Sequence, residues 1–197
     1  MMNKLEFYYD CSSPWTYLAF EQVCRLGDVL EISWKPILVG GIFNSINPSV
    51  YAARENPIQA KLNYAQKDLR DWAKALNVQV GSPSVFPVNS AKAMRGAFVA
   101  AEENKIVEYS RLIFESYWGD DKDISQLPIL KSVVEALQLN WEEFATKIES
   151  PSYKALLRQN TDELIDRGGF GSPTYFLNGS DMFFGNDRID LMLKKIL

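Results

Sequence analysis

The sequence predicts an α/β fold in which one split domain encloses a large all-helical insertion. Residues 5–9 and 31–38 are short apolar runs of the kind that form strands, and a helical pattern lies between them. Further along, residues 174–177 and 182–184 are strand-like runs on either side of Asn178-Gly179, a strong hairpin signal. The long segment between these two regions shows only helical patterns. A β-α-β start and a β-β-α end around a helical block indicate one interrupted domain.

The first helix has a well-marked beginning and end. Ser13 is a natural N-cap, and Pro14 occupies the first helical position, where proline is favoured. Gly27 is expected to stop this helix. In the strand that follows, Pro36 has no backbone N–H to donate, so it predicts an edge position or an early end for that strand.

The middle of the chain is predicted to consist of helices, each with one apolar face. Ser90 is expected to cap one helix, and Asn140 with Glu143 forms a capping-box-like start for another. A further helix from about Ser152 is expected to end at Gly168-Gly169, a C-terminal glycine signal. The apolar stripes lie at helical spacing: Ile58, Leu62, Ala65, Leu69, Trp72 and Leu76; Met94, Phe98 and Ala101, predicted to point inward; and Leu127, Leu130, Val134 and Leu137.

The predicted domain boundaries follow from these elements. Residues 1–45 and 158–197 form the split domain, and residues 46–157 form the helical insertion. A last helix is expected from about Asp187, with Ile189, Met192, Leu193 and Ile196 on its apolar side. No internal repeat or low-complexity linker interrupts this order.

Composition excludes several classes of function. The chain has 197 residues, of which 47% are hydrophobic, enough for a sizeable core. Its net charge is −4 and it has no basic stripe, so a nucleic-acid partner is not expected. No apolar run reaches the length that spans a membrane, and the opening MMNKLEFYYD has no signal-peptide core. We therefore predict a cytoplasmic protein with no membrane partner.

The available nucleophiles and bases are limited. The sequence contains no histidine, which removes Ser-His-Asp and Cys-His catalysis and imidazole metal sites. Its only cysteines, Cys11 and Cys24, do not form a C-x-x-C pair. Proton transfer must therefore use carboxylates, lysine, tyrosine, serine, cysteine or the ligand itself, and no metal site is predicted.

The segment Ser13-Pro14-Trp15-Thr16 is the first candidate site, because it follows a strand and opens a helix. Free N–H groups and the helix dipole favour an anion at such a position, and a hydroxyl there can hold a thiolate or an oxyanion. Ser13 can equally serve only as a helix cap. The local pattern leaves both interpretations open.

Four further residues also allow either a functional or a purely structural interpretation. Cys11 lies near the helix start, where a thiol can have a lowered pKa, or it can be a small packed residue. Pro173 begins a strand and can mark a cis peptide bond or a plain strand entry. Asp187 and Arg188 lie at another helix start and can bind an ammonium and a carboxylate, or act as a cap and a solvated side chain.

Five segments together resemble a known family. They occur in the family's order and span nearly the whole chain: YYDCSSPWTYLAF, GGIFNSIN, FPVNSAKAMRGA, GGFGSPTYFLNG and MFFGNDRIDLM. The family comprises the 2-hydroxychromene-2-carboxylate isomerases and the kappa-class glutathione transferases, in the DsbA-like branch of the thioredoxin superfamily. The resemblance implies a thioredoxin-like domain interrupted by helices, a homodimer, and glutathione as cofactor or cosubstrate.

The resemblance also implies roles for individual residues. Ser13 matches the catalytic serine whose hydroxyl contacts the glutathione sulfur, at the place where disulfide oxidoreductases carry Cys-Pro-x-Cys. Residues that match contacts to the rest of glutathione are Asn47 and Lys61 in the insertion, Ser172 and the cis-proline position Pro173, and Asn186, Asp187 and Arg188. Two positions depart from the family pattern. Cys11 stands where a bulkier apolar residue is more common, and Ser172 replaces an aliphatic one.

These roles imply a mechanism with a borrowed nucleophile. Ser13 and the helix N–H groups stabilise the glutathione thiolate, which adds reversibly to a conjugated aromatic acid and permits rotation about a carbon–carbon bond. In a transferase the thiolate stays attached to an electrophile. A disulfide enzyme that uses Cys11, or a binding module without activity, is the remaining alternative. The aromatic substrate is expected to contact Trp15, Phe43 and Tyr64.

Overall fold

A four-stranded mixed sheet forms the centre of the molecule. The computed structural model describes residues 2–196. The strands are β1 (Asn3–Tyr9), β2 (Leu30–Pro36), β3 (Thr174–Leu177) and β4 (Asp181–Phe184), in the spatial order β2-β1-β3-β4. β1 runs parallel to β2 and antiparallel to β3, and β3 and β4 form a hairpin. The predicted order of elements is therefore observed.

Ten α-helices surround this sheet in the described part of the chain. They are α1 (Pro14–Cys24), α2 (Val39–Ser45), α3 (Ser49–Glu55), α4 (Gln59–Leu76), α5 (Ala91–Glu102), α6 (Ile106–Phe114), α7 (Leu127–Ala136), α8 (Trp141–Glu149), α9 (Pro151–Asp166) and α10 (Ile189–Leu193). A π-helical turn, Glu115–Gly119, extends α6, and a 3₁₀ turn, Asn186–Arg188, precedes α10. Within residues 2–196, no helix combines the length and hydropathy needed to cross a bilayer.

The sheet is buried on both faces, which explains the three successive buried aromatic residues at the end of β1, Phe7, Tyr8 and Tyr9. On one face, Phe7 stacks against Tyr9 and Tyr175 and meets Trp34 edge-on. On the other face, Tyr8 belongs to a smaller cluster, whose remaining buried members are Ile37, Ile42, Leu164 and Phe176. A strand with helices on both sides needs apolar residues at successive positions.

Two local predictions about the sheet are confirmed. β2 is an edge strand and ends at Pro36, which has no N–H to offer a further neighbour. Asn178 (φ 49°) and Gly179 (φ 81°) both adopt left-handed backbone conformations between β3 and β4. The Ser180 N–H donates to the Leu177 carbonyl oxygen and closes the turn, in which asparagine and glycine tolerate positive φ angles best.

The apolar stripe of α4 is not buried within this chain. The helix forms as predicted, but Ala73 is its one buried residue, while Ile58 and Leu62 are 61% and 38% exposed. The helix packs on α1, and residues 59–67 of its first half are exposed. The inward orientation predicted for Ala101 is wrong, because α5 ends one residue later and Ala101 lies on its exposed side.

The predicted division into two domains remains a prediction. Its first boundary, after residue 45, coincides with the end of α2. Its second boundary, between residues 157 and 158, falls inside the continuous helix α9. That helix packs on α5 and α8 of the helical block and on β2 and α2 beside the sheet.

Gly96 provides a test of packing between α5 and its neighbours. A Cβ at this position would overlap the Tyr109 hydroxyl and the Phe144 ring. We expect Gly96→Ala to lower the free energy of unfolding by about 1–3 kcal/mol, because crowding outweighs the gain in helix propensity. Urea denaturation measures this change in the free energy of unfolding.

Gly40→Ala is the matched control for this substitution. Gly40 also lies in a helix, and a Cβ there meets no atom within 4 Å. The control is expected to leave stability unchanged or to raise it by up to about 1 kcal/mol. Equal effects of the two substitutions would contradict the packing argument.

Candidate active site

Ser13 lies between the end of β1 and the first turn of α1. Its backbone is extended (φ −109°, ψ 124°), and its hydroxyl oxygen accepts a hydrogen bond from the Thr16 N–H at 3.3 Å. The same hydroxyl donates to the Ser172 carbonyl oxygen at 3.4 Å. The predicted N-cap is therefore confirmed. Ser13 also reaches the loop that leads into β3.

That loop contains a cis peptide bond between Ser172 and Pro173. The Ser172 hydroxyl is buried, accepts from the Asp10 N–H at 3.1 Å and pairs with the Thr16 hydroxyl at 2.8 Å. The Pro173 carbonyl oxygen accepts from the Gly185 N–H. The serine that departs from the family pattern therefore has a structural role, because its hydroxyl joins the β3 loop to α1.

Asp10 anchors three segments around this point. Its carboxylate is fully buried and accepts hydrogen bonds from the Ser12 N–H (2.9 Å), the Val39 N–H (2.8 Å) and the Ser90 hydroxyl (3.0 Å). Burial raises the pKa of the Asp10 carboxyl, while these donors favour its charged form. Sequence reasoning missed Asp10. The sequence feature that could have identified it is a charged residue directly after an apolar strand.

A cavity of about 730 Å³ opens in front of Ser13. Most of its wall is apolar or aromatic, with Trp15 and Phe43 among the rings. Arg54 is the one charged side chain among the lining residues that the structure describes. The other aromatic residues of the wall, which sequence reasoning did not propose, are Tyr51, Phe86, Phe170 and Phe184. A cavity of this size and composition suits a small aromatic molecule.

A second cavity, of about 270 Å³, shares part of this wall. Trp15, Ser172 and Phe184 line both cavities. The other lining residues of the smaller cavity are Asp68 and Trp72 from α4, Pro173, Gly185, Asn186 and Asp187. Two carboxylates, Asp68 and Asp187, therefore flank one small space next to the serine site.

Asn186 brings an unpaired donor to this second cavity. The residue is only 6% exposed, and its side-chain nitrogen has no hydrogen-bond partner. Its backbone carbonyl oxygen accepts from the Gln22 side chain at 3.2 Å, which holds the segment against α1. A buried amide without a partner is costly, and because this nitrogen is itself shielded from solvent, the Asn186 side chain must turn toward the cavity to donate to a ligand. Asp187, beside it, forms an exposed ion pair with Arg188 at 2.5 Å.

The structure brings together most of the predicted site residues, but not all of them. Ser13, Trp15, Phe43, Asn47 and Ser172 line the large cavity. Lys61 and Tyr64 are exposed on α4 and line neither cavity. Arg188 pairs with Asp187 and also lines neither cavity. The Asn47 amide donates to the Phe170 carbonyl oxygen at 3.2 Å, and its own oxygen accepts from Ser49 at 2.8 Å. The ligand contacts of these residues remain predictions.

The two thiols are shielded from solvent, Cys11 fully and Cys24 in part. Cys11 is 2% exposed, and burial raises the pKa of its thiol well above the usual value. Burial likewise raises the pKa of the Cys24 thiol to about 12. Because the thiolate is the reactive form, neither environment is that of an activated cysteine.

Comparison with known proteins defines the family. A family model described as a DSBA-like thioredoxin domain matches residues 4–197, so the chain belongs to this family and the predicted thioredoxin-like fold is confirmed. The chain is 29% identical over 203 residues to the 2-hydroxychromene-2-carboxylate isomerase of Pseudomonas putida, covering 95% of this chain and 91% of that protein.

Two further comparisons agree with this result. The chain is 28% identical over 203 residues to glutathione S-transferase kappa 1 of Rattus norvegicus, covering 95% and 88% of the two chains. A solved structure of a 2-hydroxychromene-2-carboxylate isomerase matches with a TM-score of 0.83 at 25% identity, covering 98% of this chain and 94% of that chain. The resemblance deduced from the motifs is thereby confirmed.

The hydroxyl pair of Thr16 and Ser172 offers a test of how the site is held together. Ser172→Ala leaves the Asp10 N–H and the Thr16 hydroxyl without a buried partner. We expect the free energy of unfolding to fall by about 1–3 kcal/mol. Thr16→Val in the Ser172→Ala background should cost less than in the wild type, with a coupling of at least about 0.5 kcal/mol. Strict additivity in this double-mutant cycle would refute the pairing.

Proposed function

We propose that the protein is a glutathione-dependent isomerase of the 2-hydroxychromene-2-carboxylate type. The reaction is the cis/trans isomerisation of an aromatic acid through reversible addition of the glutathione thiolate. One observation carries this proposal: the Ser13 hydroxyl, at the N-terminus of α1, opens onto a cavity walled by aromatic rings. The relatives named as isomerases, which match over nearly their whole length, support it.

Ser13 acts in this proposal as a hydrogen-bond donor to a thiolate. Its present bond to the Ser172 carbonyl, at 3.4 Å, is long, so the hydroxyl can exchange it for a stronger bond to a charged sulfur. The first-turn N–H groups and the dipole of α1 favour a negative charge at the same point. Together they lower the pKa of the bound thiol without a histidine.

The chemistry balances without an oxidant or a metal. Bound glutathione would supply a thiolate that adds to the conjugated system, forming a carbon–sulfur bond while the electron pair of the carbon–carbon double bond moves onto the conjugated carbonyl as an enolate. Opening of the hemiketal ring to a phenol and a keto acid would free the resulting single bond to rotate, and expulsion of the thiolate would restore the double bond in the other geometry. Glutathione is regenerated, so it acts as a nucleophilic catalyst held by the protein.

The smaller cavity suits the γ-glutamyl end of glutathione. This end carries one ammonium and one carboxylate group. Asp68 and Asp187 provide negative charge for the ammonium, and the unpaired Asn186 amide provides a donor for the carboxylate. The cysteinyl unit then lies along the backbone at Ser172 and Pro173, which places its sulfur near Ser13. Lys61, which would suit a carboxylate, is assigned to glutathione by the resemblance alone.

A kappa-like glutathione transferase is the second candidate. The same thiolate attacks an electrophile in that reaction and stays attached. The similarity to the rat kappa transferase, over 88% of its length, favours this alternative. A disulfide oxidoreductase is disfavoured because serine and threonine occupy the two cysteine positions and Cys11 is buried.

A homodimer is part of the proposal. The exposed apolar residues of α4, among them Ile58, Leu62 and Tyr64, support it, since a second copy could cover them. A cytoplasmic location remains a prediction from the sequence.

Ser13→Ala tests the catalytic assignment. We expect glutathione-dependent isomerisation of a hydroxychromene carboxylate to fall by about 100-fold or more, because the thiolate loses a preorganised donor. The pKa of the bound glutathione thiol should rise, which ultraviolet absorbance of the thiolate across a pH series will measure. Loss of the cap should cost only about 1 kcal/mol of stability.

Asn140→Ala is the matched control. Asn140 also caps a helix, because its side-chain oxygen accepts from the Glu143 N–H at 2.9 Å, but it lines neither cavity. Wild-type rates are expected for this control. Wild-type rates in Ser13→Ala would reject the assignment.

Asp68→Asn and Asp187→Asn test the place of the γ-glutamyl end. Each is expected to raise the KM for glutathione about tenfold, with a smaller change in kcat, because one charged contact to the ammonium is lost. Steady-state kinetics with glutathione, and with an analogue that lacks the α-amino group, measure this effect.

The analogue should show no difference between wild type and these variants. Asp71→Asn serves as the control, since Asp71 is exposed on the same helix and pairs with Lys67. If the substitutions raise the KM equally for glutathione and for the analogue, the ammonium group does not bind in this cavity.

A further inference from the structure

Arg54 has an unusual position in the large cavity. It belongs to the short helix α3, and it is the one charged residue that lines this cavity in the part of the chain that the structure describes. The wall otherwise consists of apolar, aromatic and neutral polar side chains. A single positive charge in such a space has a large effect on which ligand binds, because few polar groups compete with it.

Two aromatic rings orient the Arg54 guanidinium. Its central carbon lies 5.6 Å from the centre of the Phe43 ring and 5.4 Å from the centre of the Phe86 ring. Both rings belong to the same cavity wall. Contact with ring faces stabilises a guanidinium while it leaves the N–H groups at its edge available to an acceptor.

Arg54 also has no acidic partner within residues 2–196. Other arginines of the protein form ion pairs, as Arg111 does with Glu21, Arg167 with Glu6, and Arg188 with Asp187. No such pair is formed by Arg54, and no carboxylate shares the cavity wall with it. Its charge is therefore available to an anion that enters the cavity.

We propose that Arg54 binds the carboxylate of the aromatic acid and sets the preference of the large cavity for acids over uncharged aromatic compounds. The guanidinium matches a carboxylate with two parallel hydrogen bonds, while the ligand ring lies against the aromatic wall. This inference rests on the proposed function for the identity of the acid. A carboxylate also occurs at the glycine end of glutathione, and the location of Arg54 among the rings favours the aromatic acid.

Equilibrium binding tests the proposal without turnover. The probes are trans-2-hydroxycinnamate and its neutral amide, and quenching of tryptophan fluorescence reports binding because Trp15 lines the cavity. Wild-type protein should bind the acid at least about tenfold more tightly than the amide. Arg54→Met should lose this preference, and Arg54→Lys should retain part of it.

Two further measurements complete the experiment. Arg158→Met is the control, because Arg158 is largely exposed and lines a different part of the surface. Titration calorimetry with glutathione distinguishes the carboxylate of the aromatic acid from the glycine carboxylate of glutathione. The affinity of the protein for glutathione should be unchanged in Arg54→Met. Circular dichroism confirms that each variant is folded.

The outcomes are decisive in both directions. An Arg54→Met variant that keeps the preference for the acid overturns the proposal. Weaker glutathione binding with an intact acid preference also overturns it, and moves Arg54 to the glycine carboxylate. Failure of the proposed function is separate, since wild-type protein would then bind the acid through Arg54 but would not isomerise a hydroxychromene carboxylate.

Discussion

The buried carboxylate of Asp10 is the interaction on which the site depends. Its three hydrogen bonds join the end of β1 to the first residues of α2 and to the residue before α5. Each of these segments contributes to the wall of the large cavity, so one side chain holds them together. Burying a carboxylate is unfavourable unless donors surround it, and the backbone and Ser90 supply those donors here. Rigidity at this point allows Ser13 to be presented in one orientation.

The cap of α1 and the proposed catalytic group are one hydroxyl. The Ser13 oxygen accepts from the Thr16 N–H, while its proton points to the Ser172 carbonyl. Accepting and donating use different parts of the hydroxyl, so the cap can persist when the proton turns to a ligand sulfur. The cap and the proposed catalytic role are therefore compatible within one hydroxyl group.

Two local signals were read correctly from the sequence, whereas contacts between distant segments were not, and the Ser90 hydroxyl donates to Asp10 and does not cap α5. Ser13-Pro14 and Asn178-Gly179 act through backbone geometry within a few residues, so their roles could be predicted. The cavity wall brings Phe86 and Arg54 together from separate segments, and only the fold reveals that contact. The stripe of α4 predicted a helix correctly, but periodicity reports an apolar face and not what covers it. Resemblance to a family identified Asn186 and Asp187 as candidate site residues, whereas Asp68 was identified only from its place in the folded structure.

The shared wall between the two cavities has a consequence for evolution and engineering. Only Trp15, Ser172 and Phe184 belong to both spaces, and α3 with the loop around Phe86 borders the large one alone. Under the proposed function, changes in those two segments would alter which acceptor molecule fits, while the residues around the γ-glutamyl end of glutathione stay the same. New substrates could then arise by remodelling the wall of the large cavity alone.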